Sequence, residues 1–153
     1  MAAYFMGIDI GSGGAIAIVD REGLLIEIIK TPPTIQDFLY FLNKWGKESI
    51  FCLVENVHSF PGNSHKVAFS FGEINGITKT ALEANKIPYD LVTPQRWMKS
   101  YGMKKGPNQS MTEWKNDLLK VAQRLFPKDK IYLYQADAVL IAEYTRRTYF
   151  NTH

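Results

Sequence analysis

The sequence predicts an α/β domain built on one five-stranded mixed sheet, three antiparallel strands followed by parallel ones, with helices flanking it. Two observations predict it. The chain opens with three β-prone runs joined only by short turns, and helical and strand periodicities then alternate to its end. At 153 residues it suits one domain, 1–153, with a single core, and nothing in it reads as a repeat, a low-complexity segment or a domain boundary.

The opening strands are expected at residues 4–10, 15–20 and 24–30. Gly11-Ser12-Gly13-Gly14 and Asp20-Arg21-Glu22-Gly23 between them are too short for a crossover, so the three form a meander. Pro32-Pro33 ends this section, and Thr34 with Asp37 three residues later is a helix N-cap signature. Ile35, Phe38, Leu39, Leu42 and Trp45 then recur at helical spacing. Residues 50–55 return to a strand. After the irregular stretch 58–63, a helix is expected with Val67, Ala68, Phe71, Ile74, Ile77, Thr78 and Ala81 on one stripe. Residues 89–92 make a fifth strand, and Thr93-Pro94 opens a short helix carrying Trp97. Lys104-Lys105-Gly106-Pro107-Asn108 breaks the chain before a helix that turns Met111, Trp114, Leu118, Val121, Ala122 and Leu125 inward. A last helix is expected over residues 134–149.

Composition narrows the function classes. Cys52 is the only cysteine and lies in an apolar run, which excludes a disulfide framework and a thiolate zinc site and fits a reducing, cytoplasmic setting. Met1-Ala2-Ala3-Tyr4 has no basic signal-peptide character, and no apolar stretch approaches the roughly 20 residues of a membrane span, so no membrane partner is expected. Gly11-Ser12-Gly13-Gly14 lacks the helix and distal acid of a dinucleotide fingerprint, so no nucleotide cofactor is expected either. The net charge of +3 conceals an asymmetry: residues 1–93 hold seven Lys/Arg against ten Asp/Glu, and residues 94–153 eleven against five. Such a basic half is either a set of solvated helix faces or a polyanion-binding side facing an acidic centre.

Three acids stand where acids are costly. Asp9 and Glu55 close apolar runs, and Asp137 lies in Gln135-Ala136-Asp137-Ala138-Val139-Leu140-Ile141-Ala142. An apolar setting disfavours the ionised carboxylate unless it is paired or metal-bound. If the first and fourth strands are neighbours, Asp9 and Glu55 lie side by side, and Asp137 completes the cluster from the last helix.

Gly7-Ile8-Asp9-Ile10-Gly11-Ser12, Val54-Glu55-Asn56-Val57, Phe71-Gly72-Glu73-Ile74-Asn75-Gly76, Thr93-Pro94-Gln95-Arg96-Trp97 and Ala136-Asp137-Ala138-Val139-Leu140-Ile141-Ala142 occur in that order. Over about residues 4–144 the chain resembles the RuvC-type Holliday junction resolvases, particularly their short phage-encoded branch. The resemblance implies an RNase H-like fold, a homodimer, Mg²⁺- or Mn²⁺-dependent hydrolysis of branched DNA such as four-way junctions, and, for a phage-encoded member, the host cytoplasm. Asp9, Glu55 and Asp137 match three of the family's four acidic metal ligands. The fourth, an Asp shortly before the last, has no counterpart: Leu133, Tyr134 and Gln135 stand there. Either another group or water completes the site, or catalysis is weakened.

The chemistry suits these residues. Phosphodiester hydrolysis needs an activated water and relief of charge on an anionic centre, which two divalent ions about 3.5–4 Å apart supply. Mg²⁺ takes oxygen ligands and retains several waters, so a few carboxylates suffice. Asp9 is the candidate for bridging both ions, with Glu55 on one and Asp137 on the other. Arg96, Lys99, Lys104, Lys105 and Lys115 are candidates for phosphate contacts, one of them for stabilising the scissile phosphate, or else form solvated faces. His58, or Phe60 two residues on, is either an aromatic stacking on a base near the junction centre or an ordinary loop residue. Phe71, Gly72 and Gly76 mark a helix face for a second copy, or for the chain's own sheet. Other readings are an RNase H-like nuclease acting on flaps or RNA–DNA hybrids, and a catalytically weakened branched-DNA-binding protein. The sugar-kinase and chaperone ATPase class shares the first-strand loop, but its two duplicated domains need more than 153 residues.

Overall fold

The computed structural model describes residues 1–11, 13–57 and 61–152. Five strands, β1 (Tyr4–Ile8), β2 (Ala15–Asp20), β3 (Leu25–Lys30), β4 (Ile50–Glu55) and β5 (Tyr89–Val92), form one sheet in the order β3-β2-β1-β4-β5. β1, β2 and β3 pair antiparallel; β4 and β5 join parallel on the other side of β1. This is the mixed sheet expected from the sequence. The first strand stops at Ile8 rather than Ile10, because the turn to β2 begins there: the Asp9 N–H donates to Ala15 O and Gly14 N–H to Gly11 O, both at 3.0 Å.

Alternation along the strands separates two apolar layers. Met6, Ile8, Ile16, Ile18, Cys52 and Val54 pack with Phe38, Phe41 and Leu42 of α1 (Ile35–Trp45) and with Ala81 and Leu82 of α2 (His65–Ala84). Phe5, Ala15, Ala17, Val19, Phe51 and Leu53 face the other way. They pack with Trp97 of α3 (Pro94–Ser100), Trp114 and Leu118 of α4 (Met111–Leu125), and α5 (Ala136–Tyr149). Every residue of α5 from Ala136 to Thr145 is buried, as for a helix enclosed on all sides.

The helix starts follow their sequence signals. Thr34 Oγ1 accepts from the Asp37 N–H at 3.1 Å, Ser110 and Glu113 form a reciprocal capping box, and Pro94 opens α3. Some expected core positions are exposed. Met111 is the first residue of α4 and precedes its buried stripe, so it faces solvent. Ile35 and Leu39 of α1 and Val67 of α2 are exposed as well, since only Thr78, Ala81 and Leu82 of α2 are fully buried. Ile35 and Leu39 line a shallow groove with Gly76, Ile77, Thr80, Ala81 and Ala84. The last helix begins two residues later than expected, after a 3₁₀ turn, Leu133–Gln135.

The α5 helix lies against β1 at Gly7. A Cβ on Gly7 would stand 2.3 Å from the Ala142 nitrogen and 2.5 Å from the Ala138 carbonyl oxygen, both backbone atoms that cannot swing aside. Gly72 and Gly76 on α2, by contrast, have open space where a Cβ would go. Gly7→Ala is expected to destabilise the fold by about 3 kcal/mol or more through this overlap. Gly72→Ala, in an open helical position, should raise monomer stability by up to about 1 kcal/mol. Urea unfolding midpoints of the two variants should move in opposite directions.

Candidate carboxylate site

The sheet register brings two acids together. Parallel pairing of β1 with β4 sets Ile8 opposite Val54, so the next residue on each strand is an acid, Asp9 and Glu55. Both share strand parity with the residues that face α5: Phe5 and Gly7 on one strand, Phe51 and Leu53 on the other. Asp137 lies in the first turn of α5, the helix seated on Gly7. Glu55 and Asp137 are 6% and 5% exposed, and Asp9 is half-buried.

Electrostatics ties the three into one cluster. Burial, then repulsion from Asp137 and Glu55, pushes the Asp9 carboxyl from 3.8 up to about 8, against the pull of Lys115. Burial also pushes Glu55 up to about 7; a hydrogen bond from Trp97 Nε1 to Glu55 Oε2 at 2.7 Å opposes this, Asp137 adds to it, and Lys115 counters it. Lys115 Nζ donates to Asp137 Oδ2. Burial works against the Lys115 ammonium, but Asp137, Asp9 and Glu55 together outweigh it and hold its pKa above the usual lysine value. The other oxygen, Asp137 Oδ1, is buried with no hydrogen-bond partner among the described residues.

An all-oxygen set of two buried carboxylates and the half-buried Asp9, with one orphaned oxygen, has the donor chemistry that Mg²⁺ or Mn²⁺ takes. Among the described residues, no three His, Cys, Asp or Glu side chains stand close enough together to hold an ion as they are. The Lys115 ammonium is the cation that the cluster contains.

The other expected site residues divide by position. Lys115 joins the carboxylates from α4, between the buried Trp114 and Leu118. Arg96 and Lys99 are exposed on α3, the helix whose Trp97 holds Glu55, and Lys104 and Lys105 are exposed in the loop between α3 and α4. His58 and Phe60 lie outside the described residues. Gly72 is exposed, Phe71 is half-buried, and Gly76 borders the α1–α2 groove. An apolar cavity of about 610 Å³, lined by Ile8, Ile10, Ile16, Phe38, Ile74 and Ile77 among others, opens on the opposite sheet face from the carboxylates.

Trp97 was expected on a short helix and within the Thr93–Trp97 motif, with no part at the site; the signal for its role was the Thr93-Pro94 cap directly after β5, which anchors that helix beside β4. Glu143, 4% exposed, was not singled out from the sequence; it accepts from Arg146 Nη2 at 2.8 Å and Arg147 Nε at 2.7 Å and keeps the C-terminal half of α5 electrostatically satisfied.

The mixed five-stranded sheet with its flanking helices is an α/β fold that matches RuvC structures. The structure of Thermus thermophilus RuvC in complex with Holliday junction substrate matches with a TM-score of 0.63 at 15% identity, covering 97% of this chain and 97% of that one. A second Thermus thermophilus RuvC structure matches with a TM-score of 0.59 at 16% identity, covering 96% and 94% respectively. No protein-family model and no curated protein matches the sequence. No helix among the described residues is long and apolar enough to cross a membrane.

The buried acids generate a stability prediction for the metal-free protein. Unfolded, Asp9 ionises near 3.8; folded, it keeps its proton to about 8, so the folded state binds more protons between those values. Asp9 therefore makes folding less favourable as pH rises from about 4 to about 8, and its effect is constant above that. In chelator, the Asp9→Asn protein is expected to match wild type near pH 4. By pH 8 it should be more stable, by at least about 1 kcal/mol. Urea denaturation across this window reads the divergence, and parallel curves would refute it.

Proposed function

We propose that this protein is a metal-dependent endonuclease that hydrolyses phosphodiester bonds in branched DNA such as four-way junctions. The observation that carries the reading is the convergence of Asp9, Glu55 and Asp137 on one face of a RuvC-like sheet, with Lys115 among them. Like charges gathered and desolvated in this way cost stability, and a charge deficit of that kind suits divalent cations facing a phosphate. The likeness to a RuvC structure bound to junction DNA supports the choice of branched DNA.

In this reading Asp9, Glu55 and Asp137 hold Mg²⁺ or Mn²⁺, which supplies water activation and charge relief at the leaving oxygen. Trp97 fixes one Glu55 oxygen so that the other faces the site. Lys115, which pairs with Asp137 in the metal-free site, would offer its ammonium to the anionic phosphate. Arg96, Lys99, Lys104 and Lys105 follow the DNA backbone, which makes binding depend steeply on salt. His58 and Phe60 are proposed to meet bases at the branch.

A homodimer is part of the proposal. The open space at Gly72 and Gly76, with exposed Val67 and Phe69 on the same helix, supports α2 as the face a second copy covers. Two-fold symmetry would then present two sites to opposed strands of one junction. The pairing of Lys115 with Asp137, together with Tyr134 at the place of a fourth acid, favours a second reading, a branched-DNA-binding protein of weak catalysis.

Two experiments decide between these. With Mg²⁺, wild type is expected to nick a labelled four-way junction in preference to duplex, flap or RNA–DNA hybrid. Asp9→Asn and Glu55→Gln should each lose more than about a hundredfold in cleavage rate while retaining junction binding. Binding without metal-dependent cleavage in wild type would leave the second reading. Sedimentation should show a dimer at micromolar concentration, and Gly76→Leu should give monomers that nick one strand at a time. A wild-type monomer that cuts both strands would refute the dimer.

A further inference from the structure

Directly before α5, the 3₁₀ turn and the residue preceding it carry two tyrosines that the carboxylate chemistry does not use. Tyr132 and Tyr134 are 49% and 42% exposed, and their rings lie parallel within 10°, with centroids 6.3 Å apart. Large aromatic rings left open to solvent cost hydrophobic free energy unless something covers them. These two are also held in place. The side chain of Gln135, itself 8% exposed, accepts the Tyr132 N–H through Oε1 at 2.9 Å and donates through Nε2 to the Tyr134 hydroxyl at 3.2 Å. One buried amide thus ties the Tyr132 backbone to the Tyr134 hydroxyl.

The surroundings specify the chemistry of what covers them. Lys130 Nζ lies 5.1 Å from the Tyr132 ring centroid, and Lys128 and Lys130 are both exposed. The turn packs against β2, β3 and α4 and runs straight into the helix that bears Asp137, three residues after Tyr134. Parallel aromatic faces fixed in advance, flanked by ammonium groups, match a flat π-system attached to a phosphate chain. An apolar protein segment would have no use for the lysines, and a free phosphate would have none for the rings.

We propose that Tyr132 and Tyr134 form a stacking platform for an unpaired nucleobase of a DNA strand passing the carboxylate site, with Lys128 and Lys130 on its phosphates. Stacking on tyrosine tolerates any base, since each presents a π-face. A Tyr134 ring held through its hydroxyl, with the Tyr132 ring parallel to it, loses little conformational freedom on binding. At the place where the resemblance has a fourth acid, this chain carries a ring that positions substrate. The proposal rests on the DNA-acting reading of the site but not on its cleavage chemistry.

The test uses the full chain in chelator, where no cleavage occurs, and compares a single-stranded thymidine oligomer of about 12 nucleotides with an abasic oligomer of the same length and charge. Fluorescence anisotropy should show wild type binding the base-bearing oligomer about tenfold or more tightly. Tyr132→Ala/Tyr134→Ala should bind both oligomers as wild type binds the abasic one, with an unchanged circular dichroism spectrum. Tyr132→Leu/Tyr134→Leu, which keeps the apolar bulk, should lose the preference too, while Tyr132→Phe/Tyr134→Phe should retain it. Equal wild-type binding of the two oligomers, no binding of either at low salt, or a preference surviving in a folded Ala or Leu variant would overturn the platform. Failure of the nuclease reading shows separately, as absence of Mg²⁺-dependent junction nicking in wild type.

Discussion

The contact on which this architecture turns is backbone against backbone, where α5 rests on β1 at Gly7. A hydrogen in place of a side chain lets the Ala138 carbonyl and the Ala142 nitrogen approach the strand to a distance no other residue allows. Ala15 and Ala17 of β2 and Ala138 and Ala142 of α5 share this layer with the larger Phe5, Phe51 and Leu53. Asp137, in the first turn of α5, thereby comes near enough to Asp9 and Glu55 to repel both, while the opposite sheet face, with Ile8 and Ile16, borders the apolar cavity. Thr145 continues the close contact, donating to the Ile141 carbonyl at 2.7 Å within the helix and reaching the Met6 carbonyl at 3.5 Å.

Into that close contact the chain puts charge it could stably do without. Asp9 and Glu55 are both pushed up by burial first and by neighbouring carboxylates in addition. Two groups offset part of this cost: Trp97 through one hydrogen bond to Glu55, and Lys115 through its pairing with Asp137. Neither removes the repulsion, and one Asp137 oxygen stays unpaired among the described residues. Elsewhere on the same helix, Glu143 shows what a buried acid looks like when it serves structure alone. Burial pushes it up, yet hydrogen bonds from Arg146 and Arg147 overcome that and hold it below its ordinary value. The contrast within one helix separates a satisfied acid near its C-terminus from a strained cluster at its N-terminus.

Much of this was readable from residues alone, for reasons that differ by element. The strands were legible because period-two alternation and short glycine-rich turns act locally; the order of β1 and β4 was not, since pairing across a crossover depends on packing. Asp9 and Glu55 stood out because an acid ending an apolar run is conspicuous whatever the topology. Exposure of Val67, Ile35 and Leu39 was hidden, because helical periodicity marks an apolar face without saying what covers it. The partnership of Trp97 with Glu55 spans forty-two residues and leaves no periodic trace. Lys115 was recognised as a cation near DNA but not as the counter-ion of Asp137, which only the packing of α4 on α5 reveals.

The placement of Lys115 follows from helix geometry more than from its own preference. Ser110 and Glu113 fix where α4 starts, and Trp114 and Leu118, four residues apart and both buried, fix its rotation against the core. Lys115 follows Trp114 directly, so it sits at the border of the buried stripe, 37% of its side chain exposed, with a stem long enough to reach inward. A lysine at that border can face solvent or the carboxylates, and its bond to Asp137 draws it inward. Shortening the side chain would leave Asp137 unpaired, and neutralising it would remove the counter-charge that lowers both Asp9 and Glu55. The cation that counters the burial and mutual repulsion of these acids thus comes from a helix that carries none of them.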